Sequence, residues 1–137
     1  MGLVVDTSAF IAWERGIGEM PSDLPADETF TIPAIVWAEA MIGVLLAETP
    51  ARAAKRRRHL DDVRSGLGIQ PFTAEAAEHY AEIHAALARA GQMIPANDIA
   101  VAATARALRA GVLVGPQDES HFRRVPDLRV RVLGPKA

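Results

Sequence analysis

Four acidic residues, far apart in the sequence, occupy positions where a carboxylate can take part in catalysis. They are Asp6, Glu39, Asp98 and Asp118. Asp6 directly follows the apolar run at residues 3–5, and the carboxyl ends of parallel strands border the ligand crevice of an α/β sheet. Three of the four also have a structural explanation, because Asp is a preferred residue at the start of a helix.

Glu39 is the least easily explained of these acids. It is the single charge in the apolar stretch 35–46, and on a helix it shares a face with Ile35 and Ile42. A carboxylate buried without a partner is strongly destabilising or takes up a proton. We therefore expect Glu39 to face a cleft. The structural alternative is a glutamate that is exposed by chance at the end of a groove, or one that is paired with an arginine.

Several carboxylates at one edge of a sheet would repel one another and raise one another's pKa. A hard cation with oxygen ligands removes that repulsion, and Mg²⁺ or Mn²⁺ is the ion that such ligands select. A divalent ion also lowers the pKa of a bound water and stabilises a leaving oxygen. The acidic positions therefore predict phosphodiester hydrolysis.

Composition excludes several other chemistries. The chain has 137 residues and no cysteine, which rules out thiol catalysis, cysteine–zinc sites and disulfides. Its net charge of -2 gives no overall attraction to polyanions. An aromatic content of 5% argues against base stacking as the main mode of RNA binding. No stretch reaches the roughly 18 apolar residues that span a bilayer. We expect a soluble, cytoplasmic protein without a membrane partner.

The elements that must position these acids follow from hydrophobic periodicity. Short apolar runs alternate with longer helical patterns, which is typical of βαβ units and a mostly parallel sheet. The length suits a single domain over residues 1–137. Strands are predicted at 3–5, 29–32, 69–72, 112–114 and 128–133, and helices at 8–15, 34–47, 51–65, 74–90 and 97–110. The alternation in the last strand indicates a sheet edge, and Gly91 and Gly111 are candidates for left-handed residues after helices.

Four segments resemble one known family. They are VVDTSA (4–9), IPAIVWAE (32–39), IPANDIAVAATA (94–105) and HFRRVPDLRV (121–130). In their order and spacing they resemble the PIN-domain ribonucleases, and among them the VapC-type toxins of type II toxin–antitoxin systems. The resemblance covers nearly the whole chain. It implies a three-layer α/β/α PIN-like fold with a mostly parallel sheet of about five strands.

The resemblance also implies an activity. Members of this family are Mg²⁺-dependent endoribonucleases, with Mn²⁺ as a substitute, that cleave structured transfer, ribosomal or messenger RNA by metal-activated water. Carried over to this chain, Asp6, Glu39, Asp98 and Asp118 are the catalytic residues and the metal ligands, with Asp6 near Asp118. A cognate antitoxin and a homodimer are implied as partners. The alternative is a catalytically inactive PIN-like module that only binds protein, which the intact acids disfavour.

The fourth acid is where the chain departs from the family. Many relatives carry Thr-x-Asn or Thr-x-Asp after the fourth strand, whereas this chain has Pro116, Gln117 and Asp118. Other relatives place the last acid directly before the phenylalanine, where this chain has His121. We expect Asp118 to be the fourth ligand, with Glu119 as the alternative.

Other polar residues are candidates for contact with RNA. Ser8, with Thr7, would orient a ligand or a water, or would complete the start of a helix with its hydroxyl. His121, Arg123 and Arg124 would approach RNA phosphates, or would belong to a surface turn. A basic cluster on the third helix would follow a phosphate backbone, or would be a solvated face. This cluster consists of Arg52, Lys55, Arg56, Arg57, Arg58 and Arg64.

Overall fold

The structure, a computed structural model, describes residues 2–134 and contains a five-stranded sheet. Its strands are β1 (Leu3–Val5), β2 (Phe30–Pro33), β3 (Gly68–Gln70), β4 (Gly111–Val114) and β5 (Val130–Val132). They lie in the order β3-β2-β1-β4-β5, and every neighbouring pair is parallel. The predicted α/β class and parallel sheet are confirmed, and β5 lies at an edge, as its alternation indicates.

Helices cover the sheet. They are α1 (Thr7–Glu14), α2 (Ala34–Leu45), α3 (Pro50–Gly66), α4 (Ala74–Ala90), α5 (Ala96–Ala107) and α6 (Glu119–Arg123), with a short 3₁₀ helix (Pro116–Asp118) before α6. The predicted bounds differ from these by a few residues. For example, β3 ends before Pro71 because proline has no N–H to donate to a neighbouring strand. None of the helices in residues 2–134 is long and apolar enough to cross a membrane.

The topology places the ends of β1 and β4 next to each other. The chain passes from β1 to β2 and β3 on one side, and then returns to the other side of β1 to form β4. Parallel crossovers are right-handed, so connections in opposite directions cover opposite faces of the sheet. The strand order therefore reverses between β1 and β4, which is where open α/β sheets form their ligand crevice.

The two central strands are the most completely buried part of the protein. Val4 and Val5 of β1 and Val112 and Leu113 of β4 are inaccessible to solvent. Strands buried on both faces are apolar throughout, as these are. The acids that follow them are therefore attached to a rigid, close-packed core.

One predicted helix ending is wrong. Gly91 does have a left-handed conformation after α4, with a φ of 66°. After α5 it is Arg109 that has a positive φ, of 55°, while Gly111 already begins β4. A Cβ atom at Gly111 would lie 2.9 Å from Leu3 Cδ2 and 3.1 Å from the Arg129 carbonyl oxygen. Gly111 is thus required for close approach between strands and not for a turn.

Candidate active site

Asp6 lies at the carboxyl end of β1 and is 1% exposed. Its backbone N–H donates to the Leu113 carbonyl oxygen of β4 at 2.9 Å, which continues the β1–β4 pairing as far as this residue. The side chain caps α1, because Oδ2 accepts hydrogen bonds from the Ser8 hydroxyl at 2.7 Å and from the Ser8 N–H at 3.3 Å. Asp6 is therefore both a helix cap and a buried carboxylate.

Burial raises the pKa of Asp6 from 3.8 to about 6. The hydrogen bonds from Ser8 oppose this rise, and the negative charge of Asp98 adds to it. Asp6 and Asp98 thus lie close enough to interact electrostatically, although 91 intervening residues separate them in the sequence.

Ser8 joins the two central strands at this edge of the sheet. Its hydroxyl oxygen donates to Asp6 and accepts from the Gly115 N–H, directly after β4, at 2.8 Å. Ser8 is buried, so both groups that it bonds are withdrawn from water. Its hydroxyl therefore orients the Asp6 carboxylate inside the protein, whereas the residue that caps α1 is Asp6 itself.

Glu39 lies in the middle of α2 and is half-buried. Its Oε1 atom accepts a hydrogen bond from the Thr7 hydroxyl at 2.8 Å, which joins α2 to the start of α1. Its hydrogen-bond partner is thus a threonine and not the arginine of one structural alternative, and its partial burial differs from the chance exposure of the other. Thr7 was a candidate for orienting a ligand, and in the structure it orients this carboxylate.

Asp98 and Asp118 approach each other around His121. Asp98 lies in the first turn of α5, and Asp118 ends the 3₁₀ helix. His121 Nδ1 lies 2.8 Å from Asp98 Oδ2 and 3.9 Å from Asp118 Oδ1. One ligand atom from each of the three residues lies within 4.8 Å of the other two. Asp118 makes no capping hydrogen bond to α6, so the structural explanation for this acid does not hold.

Asp98 is the member of the group that interacts with all the others. Burial raises its pKa above the ordinary value, as do the negative charges of Asp118 and Glu39. The hydrogen bond and positive charge from His121 act in the opposite direction. Asp6, Glu39 and Asp118 therefore all interact electrostatically with Asp98 at this edge of the sheet. Among the described residues, only Asp98, Asp118 and His121 bring one ligand atom each within 4.8 Å of one another, and Asp6 and Glu39 lie outside that group.

The donor set fits a divalent cation. Several carboxylates that raise one another's pKa are stabilised together when a cation binds between them. Carboxylate oxygens are the ligands that Mg²⁺ and Mn²⁺ prefer. The group contains no second imidazole and the chain has no thiolate, so the set differs from the usual ligands of a structural zinc site.

Two further candidates, Glu119 and Arg124, make their contacts outside the acidic group. Glu119 pairs with Arg123 at 3.2 Å and is not among the residues that surround His121. Arg124 donates to the Met93 carbonyl oxygen at 3.2 Å. Asp118 is thus better placed than Glu119 to be the fourth acid.

Three of the six cations in the basic cluster on α3 are paired with acidic neighbours. Arg52 pairs with Glu48, Arg56 with Glu14 and Arg57 with Asp61, while Arg64 lies over the ring of Trp37 at 5.5 Å. These contacts favour a solvated face over a track for an RNA backbone.

Sequence reasoning missed the position of His121 in the acidic group. It treated this residue as standing in the place of a carboxylate and as a candidate for contact with RNA phosphates. The signal was its spacing of three residues from Asp118, which places both side chains on one side of a helical turn. The short helices there carry no hydrophobic period from which that turn could be predicted.

A parallel α/β fold with a cluster of carboxylates at its topological switch point is the architecture of a PIN domain. The model of the PIN domain matches residues 3–128. The chain is 32% identical over 130 residues to Ribonuclease VapC of Rickettsia bellii, covering 95% of each protein. It is 32% identical over 115 residues to Ribonuclease VapC5 of Mycobacterium tuberculosis, covering 84% of this chain and 83% of the relative. The chain therefore belongs to the PIN-domain family, among relatives of the VapC type.

Solved structures show the same fold. The crystal structure of VapBC2 from Rickettsia felis bound to a promoter DNA fragment superposes with a TM-score of 0.78 and 26% identity, covering 96% of this chain and 98% of that chain. The VapBC-5 toxin–antitoxin complex from Mycobacterium tuberculosis superposes with a TM-score of 0.75 and 26% identity, covering 97% of this chain and 98% of that chain.

Proposed function

We propose that this protein is a divalent-metal-dependent endoribonuclease and the toxin of a type II toxin–antitoxin pair. The observation that carries the proposal is the convergence of Asp6, Glu39, Asp98 and Asp118 at the β1–β4 edge, where Asp98 interacts electrostatically with each of the other three. The relatives named Ribonuclease VapC support the choice of RNA as substrate.

Each part of the site has a role in this proposal. Asp6, Glu39, Asp98 and Asp118 would hold Mg²⁺ or Mn²⁺, directly or through water. When bound, the ion lowers the pKa of the attacking water and neutralises charge on the phosphate. Ser8 and Thr7 position Asp6 and Glu39 through the hydrogen bonds described above. Structured RNA is the proposed substrate, and Arg123 and Arg124 are exposed at the rim, where they can meet its phosphates.

We also propose that an antitoxin covers the surface beside the acids. Ile42, Leu45 and Leu46 at the end of α2 are 54%, 79% and 77% exposed. Apolar side chains this exposed and this close together are typical of a protein interface. Relatives of the same fold were solved as toxin–antitoxin complexes, which supports an antitoxin as the occupant.

The shape of the surface supports the same partner. A groove of about 640 Å³ is lined by Gly43, Leu46 and Ala47 on one side and by Lys55 and His59 of α3 on the other. A smaller cavity of about 80 Å³ shares Gly43 with this groove and extends to Thr7 and Glu39. A segment of the antitoxin that lies in the groove would thus reach the acids. The homodimer and the cytoplasmic location stay predictions.

The proposed activity is tested by sequencing the new 5′ ends of cellular RNA after controlled expression of the wild type and of Asp6→Ala. We expect new ends with a 5′ phosphate at defined positions in structured RNA, present for the wild type and absent for the variant. The same ends in both samples would contradict the proposal. A protein that binds a partner but produces no new ends would instead be the inactive module.

A further inference from the structure

His121 faces the acidic group with a single ring atom. Nδ1 lies 2.8 Å from Asp98 Oδ2 and 3.9 Å from Asp118 Oδ1, so the same nitrogen approaches two carboxylates. A single N–H points along one direction and bonds well to only one of two such acceptors. A cation between the three atoms would be attracted by all of them.

The spacings from His121 match the ligands of one ion. Nitrogen and oxygen ligands lie roughly 2.0–2.2 Å from a small divalent ion, so any two of them are separated by up to roughly 4.4 Å. The distances of 2.8 Å and 3.9 Å from His121 Nδ1 to Asp98 and Asp118 lie inside this range, and one ligand atom from each of the three residues lies within 4.8 Å of the other two.

The backbone that carries His121 is firmly anchored. Phe122, the next residue, is completely buried, and Val125 is 5% exposed. The side chains of Asp118 and His121 lie three residues apart at the start of the same short helical segment. The imidazole is thus held at the site by the core and not by a mobile loop.

We infer that His121 is a nitrogen ligand of the divalent ion and that the site therefore prefers Mn²⁺ to Mg²⁺. This inference rests on the proposed function, because it concerns the ion that the four acids would hold. Mg²⁺ selects oxygen ligands almost exclusively, whereas imidazole is a good ligand for first-row transition ions. Replacing one oxygen of the expected set by a nitrogen shifts the balance towards Mn²⁺.

The direct test is pulsed electron paramagnetic resonance of Mn²⁺ bound to the full chain, freed of any histidine tag. Coordination by His121 predicts a ¹⁴N modulation of the electron spin echo, which ¹⁵N-histidine labelling converts to the ¹⁵N pattern. The chain has four histidines, and the other three lie on α3 and α4. His121→Ala should abolish the modulation, while the matched control His84→Ala, on the exposed side of α4, should retain it.

Calorimetric titration gives a second readout. We expect His121→Ala to weaken Mn²⁺ binding by at least about tenfold and Mg²⁺ binding by a smaller factor, since changes in the ligand shell typically alter metal affinity 10–100-fold. His121→Asp, which restores an oxygen ligand, should reverse the preference towards Mg²⁺.

The outcomes separate this inference from the proposed function. If Asp98→Asn abolishes Mn²⁺ binding but the wild type shows no histidine modulation, then His121 only donates a hydrogen bond to Asp98 and the inference is wrong. If the wild type binds no Mn²⁺, or if Asp98→Asn binds it unchanged, the metal site itself is elsewhere and the proposed function fails with it.

Discussion

Asp6 shows how a single residue acquires its chemistry from its surroundings. Burial is the largest influence on its carboxyl group and raises its pKa to about 6, from 3.8. The folded protein therefore holds this proton more tightly than the unfolded chain does. Stability falls as the pH rises from about 4 to about 6, and the full penalty, about 3 kcal/mol at 1.36 kcal/mol per pKa unit, is present above that range.

Asp6→Asn should remove this penalty in the metal-free protein. At pH 7.5 in EDTA, we expect the free energy of unfolding to increase by up to about 3 kcal/mol, because the amide carries no charge that would have to be removed from water on folding. At pH 4 the Asp6 carboxyl of the folded wild type is already protonated. The wild type and the variant should therefore unfold at the same urea concentration. Urea denaturation at both pH values measures the difference. The exposed Asp27→Asn is the control, and an equal gain for Asp6→Asn at both pH values would contradict the assignment.

At the scale of elements, the site depends on the contact between α1 and the end of β4. The Ser8 hydroxyl bridges Asp6 and the Gly115 N–H, and this bridge crowds residue 115. A Cβ atom there would lie 3.1 Å from Ser8 Cβ and 3.2 Å from Ser8 Oγ, so Ser8 would have to move by a few tenths of an ångström, whereas Gln117 Oε1, at 2.8 Å, is the end of a flexible side chain that can turn away. The φ of Gly115 is -77°, so the requirement for glycine is steric and not conformational.

Gly115→Ala should separate these elements. Overpacking of this kind costs about 1–3 kcal/mol of stability, and we expect the displaced Ser8 to release Asp6 and lower the affinity for Mn²⁺. Thermal unfolding and calorimetry measure the two effects. Gly66→Ala is the matched control, because a Cβ atom at Gly66 meets nothing within 4 Å. If Gly115→Ala matches the control in thermal stability and in Mn²⁺ affinity, the bridge is dispensable.

The sequence predicted the elements that carry a hydrophobic period and failed where no period exists. The strands and the five longer helices follow from alternation between apolar runs and helical patterns. The turn that carries Asp118 and His121 is too short for such a pattern, so the approach of His121 to Asp98 could not be foreseen. Glu39 was singled out because one charge in an apolar helix needs an explanation, but its hydrogen bond with Thr7 depends on how α1 and α2 pack.

At the scale of the whole molecule, the exposed apolar surface and the acids border neighbouring cavities. That surface contains Leu45 and Leu46, which are exposed at the end of α2. Leu46 lines a groove that shares Gly43 with the smaller cavity at Glu39. On the proposed function, an antitoxin bound in the groove lies next to the proposed metal site and would block access to it without any change in the fold.

Leu45→Glu combined with Leu46→Glu should release the toxin from its cognate antitoxin. Burying one leucine contributes roughly 1.5–3 kcal/mol, so we expect binding to weaken by at least about tenfold. Stability and metal affinity should not change, because both side chains are exposed in the free protein. Affinity measured by calorimetry tests this, with Leu108→Glu at the far end of α5 as the control. Unchanged binding would place the antitoxin elsewhere.

The central claim is that the four acids form one metal site that cleaves RNA. It is tested most directly by the rate at which purified wild type and Asp98→Asn cleave the same structured RNA in the same Mn²⁺ buffer. We predict cleavage by the wild type that EDTA stops, and a rate lower by on the order of a hundredfold or more for the folded variant. Equal rates for the two proteins, or cleavage that persists in EDTA, would contradict the account.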